Sequence, residues 1–181
     1  MKARAVRGVD GRASVAVNAA RIVRVRVDEL YGFDPAVRDP AHVTELHDMR
    51  IAAKRLRYVL EITGHCFGDI GDEAENAARA LQEVLGEIHD CDVLLPRVDH
   101  ELATLRAHDA ITLRRLVQDP DELPATLRRA PARARYRGLE TLAAALVARR
   151  ALLYDRFLVE WTGLVDGRLR ARLERALDDI G

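Results

Sequence analysis

His47, Arg50, Lys54 and Arg57 stand at steps of three, four and three inside the run ELHDMRIAAKRLRYVLEI, Glu45 to Ile62. At about 100° per residue, these steps place four nitrogen-bearing side chains within roughly 80° of arc on one helix face. The chemistry on offer is anion recognition. Arginine supplies a planar fork and lysine a compact ammonium. Successive cations rise about 4.5 to 6 Å along a helix, so a ligand with closely spaced charges meets several at once. Lys54 is one of only two lysines in the chain, the other being Lys2, whereas arginine is abundant.

The residues flanking this stripe decide which way it faces. Leu46, Met49, Ala53, Leu56 and Leu60 form an apolar seam on one side, and Ile51, Tyr58 and Ile62 lie on the other. The stripe is therefore expected to face inward, with Glu45, Asp48, Ala52 and Arg55 toward water and Val59 also on that arc. Cations facing inward are costly unless paired or hydrogen-bonded. Three readings follow. The stripe holds a polyanionic ligand, which the lysine usage favours; or it pairs with carboxylates such as Glu83, Glu87, Asp90 and Asp92 in a structural scaffold; or His47-Asp48 and His89-Asp90 belong to a metal-dependent phosphohydrolase of the HD type. Against the last, Asp48 points away from the stripe, and Arg50 and Lys54 would repel a divalent cation.

Helical elements must position these residues. A first helix is expected from near Ser14 to Tyr31 on a seam of Ala16, Ala19, Val23, Val27 and Leu30, with Arg21 and Arg24 as further candidate anion ligands on another face. Gly32 and Pro35 stop it, and Asp39-Pro40 leads into the central helix. That helix ends near Gly64. After a tight connection, Asp72 caps a third helix whose seam is Ala77, Ala78, Leu81, Val84, Leu85 and Ile88. A short connection makes these two antiparallel neighbours. Folding about residue 69 sets Arg57 level with Leu81, Lys54 with Val84 and His47 with Cys91, which brings His89, Asp90 and Asp92 toward His47. Gly86 would admit a close neighbour or ligand. A further helix runs from Asp92 with Pro96 near its start. Arg128, Arg129, Arg133, Arg135 and Arg137 follow a polar connection as a solvated cluster. A long helix over Leu139 to Leu164 carries Leu142, Leu146, Leu153, Phe157, Trp161 and Leu164.

Length and composition bound the class. The 181 residues fit a 12-residue flexible N-terminal tail and one helical domain over residues 13–181. Leu, Ala, Arg and Glu dominate and strand-type alternation is missing, so the fold class is all-α, an antiparallel bundle of long helices. Formal net charge is zero, and aromatics are 4% of the chain, which disfavours nucleic acid as the partner. No secretory or membrane-spanning run is present, which sets the expectation of a cytoplasmic protein without a membrane partner. Two cysteines, Cys66 and Cys91, build no disulfide framework. No cofactor and no metal site are read from the residues.

The runs LHDMRIAAKRLRYVLE, Leu46 to Glu61, and LQEVLGEIHDCDV, Leu81 to Val93, resemble the CHAD family, the conserved histidine α-helical domains. With the preceding helix and the later Leu153-Tyr154 to Trp161 pattern, the resemblance covers most of the chain. It implies an all-helical bundle that binds inorganic polyphosphate through a basic cavity without catalysis, and association with polyphosphate granules. By position, the family's histidine falls on His47, its basic residues on Arg50, Lys54, Arg55 and Arg57, and its glycine on Gly86. The departure is size, since the family's usual domain has two helical halves and this chain shows one. Either two chains pair as a homodimer around one cavity, or later helices close it within one chain through Arg149 or Arg156.

Overall fold

The computed structural model describes residues 2–124 and 133–180. It is helical throughout, with no strand among the described residues, as the missing alternation requires. The elements are α1 (Val15–Tyr31), α2 (Asp34–Val37), α3 (Val43–Thr63), a 3-10 turn at Gly64–Phe67, α4 (Asp69–Leu116), a second 3-10 turn at Pro120–Glu122, α5 (Arg133–Asp166) and α6 (Leu169–Asp178). No helix among the described residues is long and apolar enough to cross a membrane.

The chain divides into two compact units, one holding residues up to His89 together with Leu152 onward, the other Asp90–Ala151. In the second unit, α4 and α5 run antiparallel. Arg150 pairs with Asp92 at 2.5 Å, Tyr136 donates to the buried Asp109 at 3.0 Å, and Arg106 meets Glu140 at 3.6 Å. The first unit holds the main core. Val23, Val27 and Leu30 of α1, Leu46, Met49, Leu56 and Leu60 of α3, and Leu81, Leu85 and Ile88 of α4 are buried with Phe157 and Trp161 of α5 and Leu173 and Leu177 of α6.

Each element has a local cause. Ser14 caps α1 by accepting from the Val17 amide. Pro35 sits in the first turn of α2, where its missing N–H costs nothing. Trp161 buries its ring against Tyr31, 4.9 Å between centroids, and donates its indole N–H to Asp34 at 2.6 Å. The Tyr154 hydroxyl donates to the Val37 carbonyl at 2.9 Å, so α5 is tied to the α2 corner at two points.

Several expectations are corrected. No break separates the third helix from the further one expected from Asp92; α4 is continuous for 48 residues with Pro96 inside it. Pro96 is exposed, so its ring meets water, and the lost N–H leaves the Asp92 carbonyl without its usual donor. The helix also begins at Asp69, three residues before the expected cap. Leu142, placed on the seam of α5, is exposed. Residues 2–12, expected as a free tail, have no regular secondary structure, but they are laced to α1. Arg26 donates to the Arg4 carbonyl at 2.5 Å, the Arg4 amide donates to Glu29, and Asn18 donates to the Asp10 carbonyl at 2.7 Å. Arg26 and Glu29 form a buried ion pair at 2.5 Å that this backbone completes. Of the arginine cluster, Arg128 and Arg129 lie outside the described residues, while Arg135 and Arg137 are exposed.

The turn between α3 and α4 sets the register of the whole first unit. Gly68 has φ +63°, ψ −150°, a conformation that L side chains avoid. Beside it the backbones of Gly64 and Gly71 meet. A Cβ on Gly71 would fall 2.2 Å from the Gly64 carbonyl oxygen, whereas one on Gly64 would find its nearest neighbour at 3.6 Å. The two glycines therefore carry unequal constraints. Gly71→Ala should destabilise the protein by roughly 1–3 kcal/mol because backbone must move. Gly64→Ala, at a helical φ of −56°, should stay within about 0.5 kcal/mol of wild type or gain slightly. Urea unfolding midpoints of the two variants check this.

Candidate anion-binding site

On α3 the buried side runs through Leu46, Met49, Ala52, Ala53, Leu56 and Leu60. Ala52, expected toward water, is fully buried, and Tyr58 and Ile62, expected as a second seam, are 46% and 73% exposed. The helix is thus rolled from the expected setting, for two reasons. Two adjacent alanines leave that side low enough to pack closely, and α3 lies along α1, whose Ala19 and Ala20 are buried as well. The roll moves the basic stripe from the interior to its rim. Lys54 is exposed; His47, Arg50 and Arg57 are half-buried. Arg55, read as ordinary surface, is half-buried with Nη1 shielded from solvent.

Across from the stripe lies α4, antiparallel and in contact. The His47 and His89 rings lie 4.3 Å apart between centroids, with Nδ1 to Nδ1 at 3.2 Å. The Arg50 Nε lies 3.3 Å from where a Cβ on Gly86 would be, so this glycine gives the guanidinium room to cross. Both contacts are symmetric about residue 68, one position from the expected fold at 69, which shifts the partner of His47 from Cys91 to His89. The approach of His89 follows from the hairpin. The carboxylate of Asp92 is used by Arg150.

The stripe's electrostatics differ from those of its surroundings. In the first unit, Arg24, Arg26, Arg38, Arg79, Arg156, Arg170 and Arg172 each hold a carboxylate partner. Among the described residues, none of Arg50, Lys54 and Arg57 does. The Nε atoms of Arg50 and Arg57 are buried without a hydrogen-bond partner, as is Oε1 of Gln82 on α4. The Tyr58 ring lies 4.5 Å from the Arg57 guanidinium and 5.6 Å from the Lys54 ammonium.

His47 is held below the ordinary imidazole value, first by burial, then by His89 and Arg50, against an opposing pull from Asp48. The Nδ1 contact requires one ring to donate and the other to accept, so at least one of the pair is neutral in that geometry. Among the described residues, no group of three or more His, Cys, Asp and Glu side chains is placed to hold a metal ion.

Of the predicted site residues, the structure gathers His47, Arg50, Lys54, Arg57 and His89 on one face of the hairpin. Arg21 and Arg24 are turned to other partners. Arg21 donates to the Gly8 carbonyl, and Arg24 pairs with Asp178 at 2.7 Å. Their partners lie far along the chain, which a helical wheel does not reveal. Gln82 went unnoticed in the sequence, although its position one helical turn before Gly86 put it on the same face of α4.

The sequence matches the family model described as CHAD domain over residues 21–180. Comparisons with curated proteins and with solved structures return no match. The matched span contains every residue of the hairpin face and nearly the whole chain. The all-helical architecture, the two motifs in order and this match agree, and the chain belongs to the CHAD domain family.

Proposed function

We propose that this protein binds inorganic polyphosphate on the α3–α4 face as a non-catalytic binding module. The observation that carries the reading is the set Arg50, Lys54 and Arg57, which among the described residues has no carboxylate partner in a unit where Arg24, Arg26, Arg156 and Arg170 each hold one. Two buried guanidinium Nε atoms without acceptors make an oxyanion ligand favourable, because they gain bonds that the protein does not supply. Membership in the CHAD family adds the association of this fold with polyphosphate. The scaffold reading, in which carboxylates neutralise the stripe, loses support for the same reason. The HD-type reading needs His47 and His89 to share a cation with carboxylates, and Arg50, whose charge acts on His47 alongside that of Asp48, opposes a cation there.

Polyphosphate suits the spacing. From His47 to Arg57 the face extends about 15 Å at 1.5 Å per residue, enough for a handful of phosphates. Binding should release counterions, so affinity falls with salt. Changing Arg50, Lys54 or Arg57 singly to Gln should weaken binding by roughly 1 kcal/mol, about fivefold, and lower the salt slope by about one. The thermal midpoint of Lys54→Gln should stay near wild type, since Lys54 is exposed. Titration calorimetry with defined polyphosphate at several salt concentrations, with RNA as competitor, tests the reading. Equal losses on changing Arg135 or Arg137 would reduce it to bulk charge.

His47 gives the second expectation, with its sign fixed by the lowered pKa. Protonation is disfavoured in the free folded protein, so stability drops as pH falls below the unfolded histidine value and toward the depressed one. A bound polyanion reverses that preference. Thermal midpoints should therefore fall from pH 7 to pH 5.5 without ligand and recover with polyphosphate. His47→Gln should flatten both effects.

The exposed Tyr58 and Ile62 beside the cations also support association of two chains across one polyanion, since a ligand that binds the pair better stabilises it by linkage. Light scattering should show a mass increase on adding polyphosphate; a monomer in both conditions that still binds tightly excludes it.

A further inference from the structure

The α3 stripe has a counterpart on α4. The His47–His89 and Arg50–Gly86 contacts are both symmetric about residue 68. The same symmetry sets Lys54 level with Gln82 and Arg57 level with Arg79. Arg79, Gln82, Gly86 and His89 repeat the steps of three, four and three in reverse order along α4, so one helix face answers the other rung by rung. The next rung toward the turn is Glu61 level with Glu75. Here the sign changes. Glu75 holds Arg79 in an ion pair at 2.5 Å, and the field of Glu61 also reaches Arg79, with a further contribution from Glu83.

Resting on the polyphosphate reading above, we propose that α4 forms the second wall of the anion groove, with Gln82 as a neutral phosphate-binding rung, and that Glu61 and Glu75 close the groove at its hairpin end while holding Arg79 in reserve. The Gln82 amide is suited to this place. Its Oε1 is buried without a donor, and because a carboxamide turned over about its last bond presents NH2 where the oxygen stood, a phosphate oxygen at this rung selects the orientation in which the NH2 group donates to it. A neutral donor adds a hydrogen bond without adding to the repulsion among Arg50, Lys54 and Arg57. At the far end, two carboxylates on adjacent helices repel a further phosphate, so the ligand extends from the basic rungs only toward the His47–His89 end. Arg79 can serve the ligand only by leaving Glu75.

The test is calorimetric titration of tripolyphosphate and long-chain polyphosphate into the full chain over a range of salt concentrations. Glu61→Gln and Glu75→Gln should each tighten binding about two- to fivefold, the range of one surface charge interaction. Glu75→Gln should also steepen the salt slope by about one, as Arg79 joins the site. Gln82→Leu should weaken binding by a similar factor at unchanged slope, because no charge is lost. Glu140→Gln, whose partner Arg106 lies in the other unit, controls for net charge and should bind as wild type. Circular dichroism melts of each variant verify folding, and the partly or fully exposed Glu61 and Glu75 keep the test open should Gln82→Leu misfold. If Glu61→Gln and Glu75→Gln match Glu140→Gln while wild type binds and the α3 variants do not, the α4 wall is overturned and the function stands. If wild type binds no polyphosphate, the function is overturned and this inference with it.

Discussion

Everything in the first unit depends on how closely α3 and α4 approach at their turn. The Gly64 and Gly71 backbones touch where no side chain fits on Gly71, and Gly68 takes a positive φ that lets the chain reverse within a few residues. A helix hairpin pinned at its base has one register. From that register follow the His47–His89 contact, the passage of Arg50 over Gly86 and the facing of the two polar stripes. A shift of one residue along α4 would turn each of its side chains by about 100° and bring Glu87 or Glu83 where Gly86 and Gln82 now stand. The stripe would then be neutralised from across the groove.

Polar pairing elsewhere in the unit explains how it tolerates unpaired cations here. The buried Arg26–Glu29 pair is completed by the backbone of Arg4, Arg170 is held by both Asp28 and Glu174, and Trp161 is fixed on Asp34. The buried Arg26–Glu29 pair contributes little net stability, but breaking it leaves a desolvated charge, so it fixes α1 against the N-terminal segment, while the half-exposed Arg170 pairs add orientation more than energy. The cations of α3 sit on a frame in which these other charges are already committed.

Much of this was legible in the sequence. The helical class, the start of α1 near Ser14, the antiparallel hairpin and the nearness of His47 to His89 follow from periodicity and one short connection. The roll of α3 did not. A hydrophobic wheel weighs Ala52 as a weak core residue and Ile62 as a strong one, yet Ala52 is buried because close packing against α1 selects for small volume, and Ile62 lies on the side that no neighbour covers. Pro96 misled for a related reason. Proline reads as a helix boundary, but in an exposed position the helix continues through it at a cost of about 3 kcal/mol, which the rest of a 48-residue helix offsets. Arg21 and Arg24 lie near Asp28 on the wheel, yet Asp28 pairs with Arg170, and their own partners, Gly8 and Asp178, come from the two ends of the chain.

The roll also bears on the kind of anion site proposed here. A fully buried stripe would face a desolvation cost of several kcal/mol per ion and would require internal carboxylates to fold at all. At the rim, Lys54 keeps its water, and Arg50 and Arg57 each bury Nε, that of Arg50 beside Gly86. Each cation is then cheap to hold and weak alone. A single phosphate gains little from such a face, whereas a chain of phosphates engages several rungs for one loss of translational freedom, and each further contact acts at high effective concentration. Half-exposed cations at helical spacing therefore favour polymers over monomers by geometry, without any group that recognises chain length, and the preference weakens with salt as each exposed charge is screened.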